Sequence, residues 1–323
     1  MYISRYTKHF LIVAIVIFVI AIGIIASVGL RFGIDFTGGS LTEVSYDTRP
    51  PKADVDASLQ ALDSQITLRG YSLRGTVDET GKDGFILRTR DLNESERQAV
   101  EKALTDLGDG AQLTRFTSIG PVIGEELKSK AVWAIVAVVL VIVVYVAFAF
   151  RKVSEPIGSW VYGGITIIAL VHDVLVPTAI MSLMGYFLGA EIDVLFVMAI
   201  LAVLGYSVND TIVVFDRVRE NLIKYRQARK SKKGGSHTSN YSFSKPFGEI
   251  VGESVVQTML RSINTSLTTF IALTALFYFG GDVTRNFALV LMAGVVAGTY
   301  SSVFIANPML IFFGERKIRK ENS

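Results

Sequence analysis

Two carboxylates sit where nearly every neighbour is apolar. Asp173 lies in the run from about Trp160 to Tyr186, and Asp210 in the run from about Val194 to Phe215. Ionisable groups inside such runs are costly in hydrocarbon and mark functional positions. A carboxyl held there is pulled two ways, because loss of water favours the neutral acid and a nearby cation favours the carboxylate. A site that alternates between wet and dry, or paired and unpaired, therefore loads and releases a proton. One elementary charge moved through about 100 mV is worth about 2.3 kcal/mol, which biases a two-state change more than tenfold. Asp210, in the inner half of its run and beside Asn209 and Ser207, is the first candidate carrier. Arg261 stands at the inner mouth of the next run and is the expected ion-pair partner, with a membrane-edge anchor as the alternative. Asp173 reads either as a relay residue or as an interhelical hydrogen-bond acceptor. Its neighbour His172 reads as a packed polar residue, since successive helical residues point in different directions and no dyad is expected.

The elements that must hold these groups follow from composition. Of 323 residues, 50% are hydrophobic and 19% charged, with mean hydropathy +0.45. That excludes a disordered chain, a coiled coil and an ordinary soluble enzyme. There is no cysteine and there are three widely spaced histidines, His9, His172 and His237, so disulfides, thiol nucleophiles and Cys- or His-rich metal sites are excluded. No catalytic residues and no cofactor other than protons are expected. Six runs reach the roughly 20 residues that a spanning helix needs. They are Phe10–Leu30, Ala131–Phe150, about Trp160–Tyr186, about Val194–Phe215, about Ser262–Phe279 and Phe287–Phe313. The first is too long for a signal-peptide core and lacks a clean cleavage site, so it reads as an uncleaved anchor. Lys and Arg concentrate on one side of these runs: residues 216–261 hold ten basic against four acidic side chains, and residues 31–130 carry more acid than base. The bias puts both termini on the cytoplasmic side.

The expected organisation is therefore span one (1–30), an external domain (31–130), spans two to six (131–314) and a short tail (315–323). In the external domain, alternation and turn signals predict strands at Ser40–Tyr46, Leu68–Val77, Phe85–Thr89 and Gln112–Ile119, with Gly81 and Gly84 bracketing a turn. Helices are predicted at Asp54–Leu62 and after Asn93, the latter with Ala99, Ala103 and Leu107 on one face. The order β-α-β-β-α-β suggests a small α+β ferredoxin-like unit. It contains no nucleophile–base pair and reads as a recognition or mechanical module.

Three further features carry expectations. Asp35, Phe36, Gly38 and Gly39 follow span one and read as a hinge or a structural turn, since glycine permits sharp turns. Gly294-x-x-x-Gly298-x-x-x-Ser302 in span six is a close-packing face that a partner chain could use. Residues 226–245 read as a flexible basic loop, and Pro246–Met259 as an amphipathic interfacial helix with Phe247, Ile250, Val251, Ser254 and Val255 on its face.

Four stretches together resemble a known family. Gly33-Ile34-Asp35-Phe36-Thr37-Gly38-Gly39 is similar to the D-F-x-G-G signature of the bacterial SecD/SecF family, within the RND superfamily, and Val171-His172-Asp173-Val174 to its HD element. The long stretch from Gly205 through Ser207, Asn209 and Asp210 to Asn221 looks like the SecF version of span four, and Leu260-Arg261-Ser262-Ile263-Asn264-Thr265-Ser266 like the start of span five. The resemblance covers nearly the whole chain, although residues 226–245 look longer than usual for the family. It implies half of an RND-type transporter in the bacterial plasma membrane that pairs with a six-span SecD-like subunit and works beside the SecYEG channel. There it would use the proton gradient to pull a translocating polypeptide outward, with Asp210 as proton carrier and Arg261 as its span-five partner. Partners are then the second subunit, the channel, the polypeptide and the bilayer, with no nucleic acid. The competing readings are a small-molecule or lipid exporter half and a structural scaffold without proton coupling.

Overall fold

The computed structural model describes residues 6–68, 71–77, 82–151, 157–232 and 243–321. Among them, six helices are long and apolar enough to cross a membrane. Span one is Thr7–Val28, span two Pro121–Ala149, span three Ser159–Leu188, span four begins the helix Val194–Lys232, and span five ends the helix Phe247–Phe279. Span six runs from Asp282 to Ser301, passes through a π-helical turn at Ser302–Ala306 and continues as Asn307–Glu321. Pro308 explains that turn: it has no N–H to offer the carbonyl of Phe304 and so breaks the i→i−4 ladder. The Asn307 side-chain amide instead donates to the Ser302 carbonyl at 2.6 Å.

Several boundaries differ from expectation for one reason: polar residues continue a helix when its neighbours supply packing. Span two starts at Pro121, ten residues before its apolar run. The span-four helix extends through residue 232, into the stretch read as a flexible loop, whose residues 233–242 lie outside the described ones. No separate interfacial helix precedes span five. Residues from Phe247 onward are continuous with it, and Phe247, Ile250, Val251, Ser254 and Val255 are all buried, so the expected face packs on protein. Gly81 lies outside the described residues.

The external domain has the expected β-α-β-β-α-β order, with β1 (Gly39–Ser45), β2 (Ser72–Val77), β3 (Asp83–Thr89) and β4 (Gln112–Ile119) in the sheet order β2-β3-β1-β4. Every neighbouring pair is antiparallel. Helices Lys52–Ile66 and Glu94–Thr105 cover one sheet face. The core between contains Val44, Tyr46, Val55, Leu59, Leu73, Phe85, Leu87, Val100 and Leu104. Burial of the Tyr46 phenol pushes its pKa up to about 12, and its hydroxyl donates to the Leu104 carbonyl at 3.0 Å. The second helix opens on a capping box between Asn93 and Glu96. Its buried stripe is Val100 and Leu104, one residue round from the expected Ala99, Ala103 and Leu107, because the longer side chains reach the sheet.

The other sheet face carries Leu41, Glu43, Arg74, Ile86, Arg88, Arg115 and Thr117. It closes a cavity of about 130 Å³ against Asp35, Glu191 and Asp193 at the outer surface of the membrane helices.

Candidate functional site

Span six approaches span four closely because two glycines allow it. A Cβ on Gly294 would lie 2.1 Å from Val203 Cγ2, and one on Gly298 would lie 2.9 Å from Ser207 Cβ. The glycines of the small-residue face, which a partner chain could have used, pack on span four of this chain instead. Ser302, at the next step of the pattern, is also buried, and its hydroxyl lies 3.2 Å from that of Thr211 on span four.

That approach builds the polar centre. Asp173, on span three, is 0% exposed. Its Oδ2 accepts from Ser207 Oγ of span four at 2.5 Å and from Ser301 Oγ of span six at 2.7 Å. Its Oδ1 lies 3.0 Å from His172 Nδ1. The two neighbours do form a pair, against expectation. Both side chains are buried on the packed side of span three, and the short Asp side chain curls back to the imidazole edge. Three helices therefore converge on one carboxylate, which fits the hydrogen-bond-acceptor side of the two readings of Asp173.

Asp210 lies one helical turn beyond Ser207, roughly 4.5 Å along the axis. It is 4% exposed. Its Oδ1 accepts from Ser262 Oγ of span five at 3.1 Å, and its Oδ2 has no partner among the described residues. Arg261 does not pair with it: the side chain next to Ser262 is exposed, and no Asp210–Arg261 ion pair occurs among the described residues. The reason is angular. Ser262 takes the inward direction of span five, so Arg261, about 100° away on a helix of 3.6 residues per turn, points out. Asn209 is likewise exposed and turned away from Asp210.

Further hydroxyls tie spans four, five and six together without touching either acid. Thr211 Oγ1 donates to the Ser207 carbonyl at 3.3 Å, and Tyr206 donates to Ser266, which lies 2.5 Å from Thr299 Oγ1. The available signal was a Thr or Ser at every fourth position in the first part of the span-five helix (Thr258, Ser262, Ser266), all three buried. A buried carboxyl with a free oxygen can take up a proton; Ser207, one turn away on the same helix, bonds Asp173 and not Asp210, and no hydrogen bond among the described residues joins the two acids. The site holds no metal-ligand cluster: among the described residues, no group of three His, Asp or Glu side chains is placed to hold an ion.

The glycine segment after span one is tied to the membrane helices at several points. Residues 34–37 form one helical turn, Phe36 enters the apolar core beside Leu170, Ile192 and Phe196, and Asp35 Oδ2 accepts the Val194 N–H at 2.9 Å. Gly38 (φ +73°) and Gly39 (φ +130°) then turn the chain into β1. A Cβ on Gly38 would stand 2.6 Å from Pro121 Cα, so only glycine fits beneath span two.

The sequence matches two family descriptions: "Protein export membrane protein SecD/SecF, C-terminal" over residues 99–316 and "SecD/SecF GG Motif" over residues 23–48. It is 38% identical to the protein translocase subunit SecF of Thermobaculum terrenum, over 88% of this chain and 84% of that protein. It is 35% identical to the subunit of the same name from Pseudomonas aeruginosa, over 93% and 87%. Against the SecDF protein of Thermus thermophilus the identity is 31%, over 94% of this chain but 37% of that protein. The crystal structure of SecDF from that organism, described as a translocon-associated membrane protein, superposes with a TM-score of 0.77 at 28% identity, covering 98% of this chain and 39% of the other. A SecDF structure in a super-membrane-facing form superposes at 0.63 with 30% identity, covering 100% and 39%.

Proposed function

The chain belongs to the SecD/SecF family of protein-export membrane proteins, and we propose that it serves a translocase as the proton-coupled half of a two-part machine. In this reading a SecD-like six-span subunit supplies the other half, and the pair works beside the SecYEG channel on a polypeptide emerging from the plasma membrane. The observation that carries the reading is a pair of buried acids one helical turn apart in depth, Asp173 bonded to Ser207 of span four and Asp210 of span four bonded to Ser262 of span five with its second oxygen free. Asp210, with one oxygen unpartnered, is the carrier. Asp173, bonded by Ser207 and Ser301 and facing His172, holds spans three, four and six in register. Arg261 acts on Asp210 from the exposed side, either through space or after a rotation of span five.

Support for the partner comes from polarity at membrane depth. Asn209 of span four and Arg261, Asn264, Thr265 and Thr268 of span five are exposed, a costly arrangement in lipid that a facing helix relieves. The SecDF relatives, of which this chain spans less than two fifths, carry additional chain in one polypeptide. Both termini are cytoplasmic, which places the small ferredoxin-like domain on the far side, where the exported chain emerges. The coupling ion is the proton, with no other cofactor.

The test is Asp210→Asn in the assembled complex. Gradient-dependent completion of export is lost while the subunit still assembles. Export that stays at the wild-type level and still responds to collapse of the gradient sinks the reading and leaves a scaffold.

A further inference from the structure

The loop of residues 189–193 joins the two acid-bearing helices, and the external domain grips it from both ends. From the sheet, Arg88 of β3 forms an ion pair with Glu191, both side chains being about four-fifths buried. Arg74 of β2 donates through Nη1 to the carbonyls of Leu188 and Gly189 at 3.3 Å each, at the C-terminal end of span three. At the root of the domain, residues 31–33 pair with the same loop. Gly33 N–H donates to the Ile192 carbonyl at 2.8 Å, and Ile192 N–H donates to the Arg31 carbonyl at 2.7 Å. Asp35 caps the start of span four, as does Asp193, whose Oδ1 accepts the Phe196 N–H at 2.8 Å. Burial pushes the Glu191 and Asp193 carboxyls upward, and Arg88 pulls that of Glu191 back down.

The geometry below the loop gives this grip a consequence. Asp173 lies 15 residues before Leu188 and Ser207 lies 13 after Val194. At 1.5 Å per residue these are about 22 and 20 Å beneath the loop, nearly the same depth on adjoining helices. Span four has no proline between Val194 and Ser207 and shifts there as a stiff unit, so a displacement of its outer end at the loop reappears at Ser207. A slip of about 1 Å directed along the bond stretches the 2.5 Å Ser207–Asp173 contact to about 3.5 Å, beyond the usual O–H···O range.

We propose that the external domain is a clamp on the 189–193 loop, and that Arg88, Glu191 and Asp35 are positioning residues that keep spans three and four in the register joining Asp173 to Ser207, one turn from Asp210. The proposal rests on the proton-carrying reading of those acids. None of the three touches the acids; they act through the helices.

The chain has no cysteine, so spin labels can be attached to Ala53→Cys on the external domain and Tyr278→Cys, exposed at the outer end of span five. With the subunit in its complete complex in proteoliposomes, the labels report one narrow distance distribution. Arg88→Glu or Glu191→Arg alone broadens it and lowers gradient-dependent export at least fivefold. The double exchange, Arg88→Glu with Glu191→Arg, narrows the distribution and returns export to within twofold. Asn93→Ala, which removes a helix cap but leaves the grip intact, weakens the external fold without broadening the distribution. A single exchange that leaves the distribution narrow overturns the clamp, as does a double exchange that assembles but recovers neither readout. If wild-type export ignores collapse of the gradient, the proton reading fails, whereas the label distances still decide the clamp.

Discussion

Gly298→Ala is the smallest change that should disable the polar centre without touching it. The added methyl carbon would stand 2.9 Å from Ser207 Cβ and 3.3 Å from Ser207 Cα. Backbone and Cβ cannot rotate away, so spans four and six must separate until the carbons reach ordinary contact at about 3.5–4.0 Å, a shift of roughly 0.5–1 Å. Ser301 is three residues along span six, and its 2.7 Å bond to Asp173 Oδ2 stretches by a similar amount, to the edge of what counts as a hydrogen bond. Interhelical hydrogen bonds in membranes are worth about 0.6 kcal/mol on average and about 1.7 at most, so the loss is roughly 3- to 18-fold in any equilibrium that depends on the bond. The assay is gradient-dependent export by the assembled complex, with thermal unfolding in detergent read in parallel. Export should fall within that range while the protein still assembles, and Gly298→Ser should do no better, because the clash is at Cβ. Wild-type export and an unchanged Tm in Gly298→Ala would refute the close approach of spans four and six as the source of the Asp173 site.

Two further outcomes follow from other parts of the molecule. Gly38→Ala places a side chain in a backbone region open almost only to glycine (φ +73°, ψ 164°) and against Pro121, so it should destabilise by about 1–3 kcal/mol from backbone strain alone, read as a lower Tm, whereas Gly120→Ala, whose Cβ meets nothing, should be mild. Acid should loosen the external domain first: hydrogen bonds from Arg97 and Arg90 hold Glu94 and Glu96 at about 2, below the 4.5 of a free glutamate, so their stabilisation is complete above pH 4.5 and is lost as the pH falls toward 2, a trend that circular dichroism of the protein between those values can check.

How much was legible in advance depended on whether a property is local. The strands alternated because one sheet face meets helices and the other meets the membrane domain, and Gln112–Ile119 matches β4 residue for residue. Asp173 and Asp210 stood out because a charge in an apolar run is visible in one dimension. Their partners did not stand out. Ser301, Ser262 and Thr211 are ordinary helix residues until three helices meet. Arg261 looked like a partner of Asp210 because its charge and position suggested it, and Asn209 stood beside Asp210 in sequence, but helical phase turns both outward. Asp35 read as part of a hinge because its acceptor role needs Val194, more than 150 residues away.

Composition and periodicity alone determined that the chain crosses a membrane six times, that a small α+β domain follows the first crossing, and that two acids lie in hydrocarbon, since burial of apolar surface and the repeat of each element are written along the chain. Only the tertiary structure decided which hydroxyl meets which carboxylate, that the span-six glycines serve span four and not a partner, and that the external domain grips the loop between the acid-bearing helices. Those contacts join residues distant in sequence, and their direction depends on helix rotation to within one residue, about 100°, which a linear pattern does not encode.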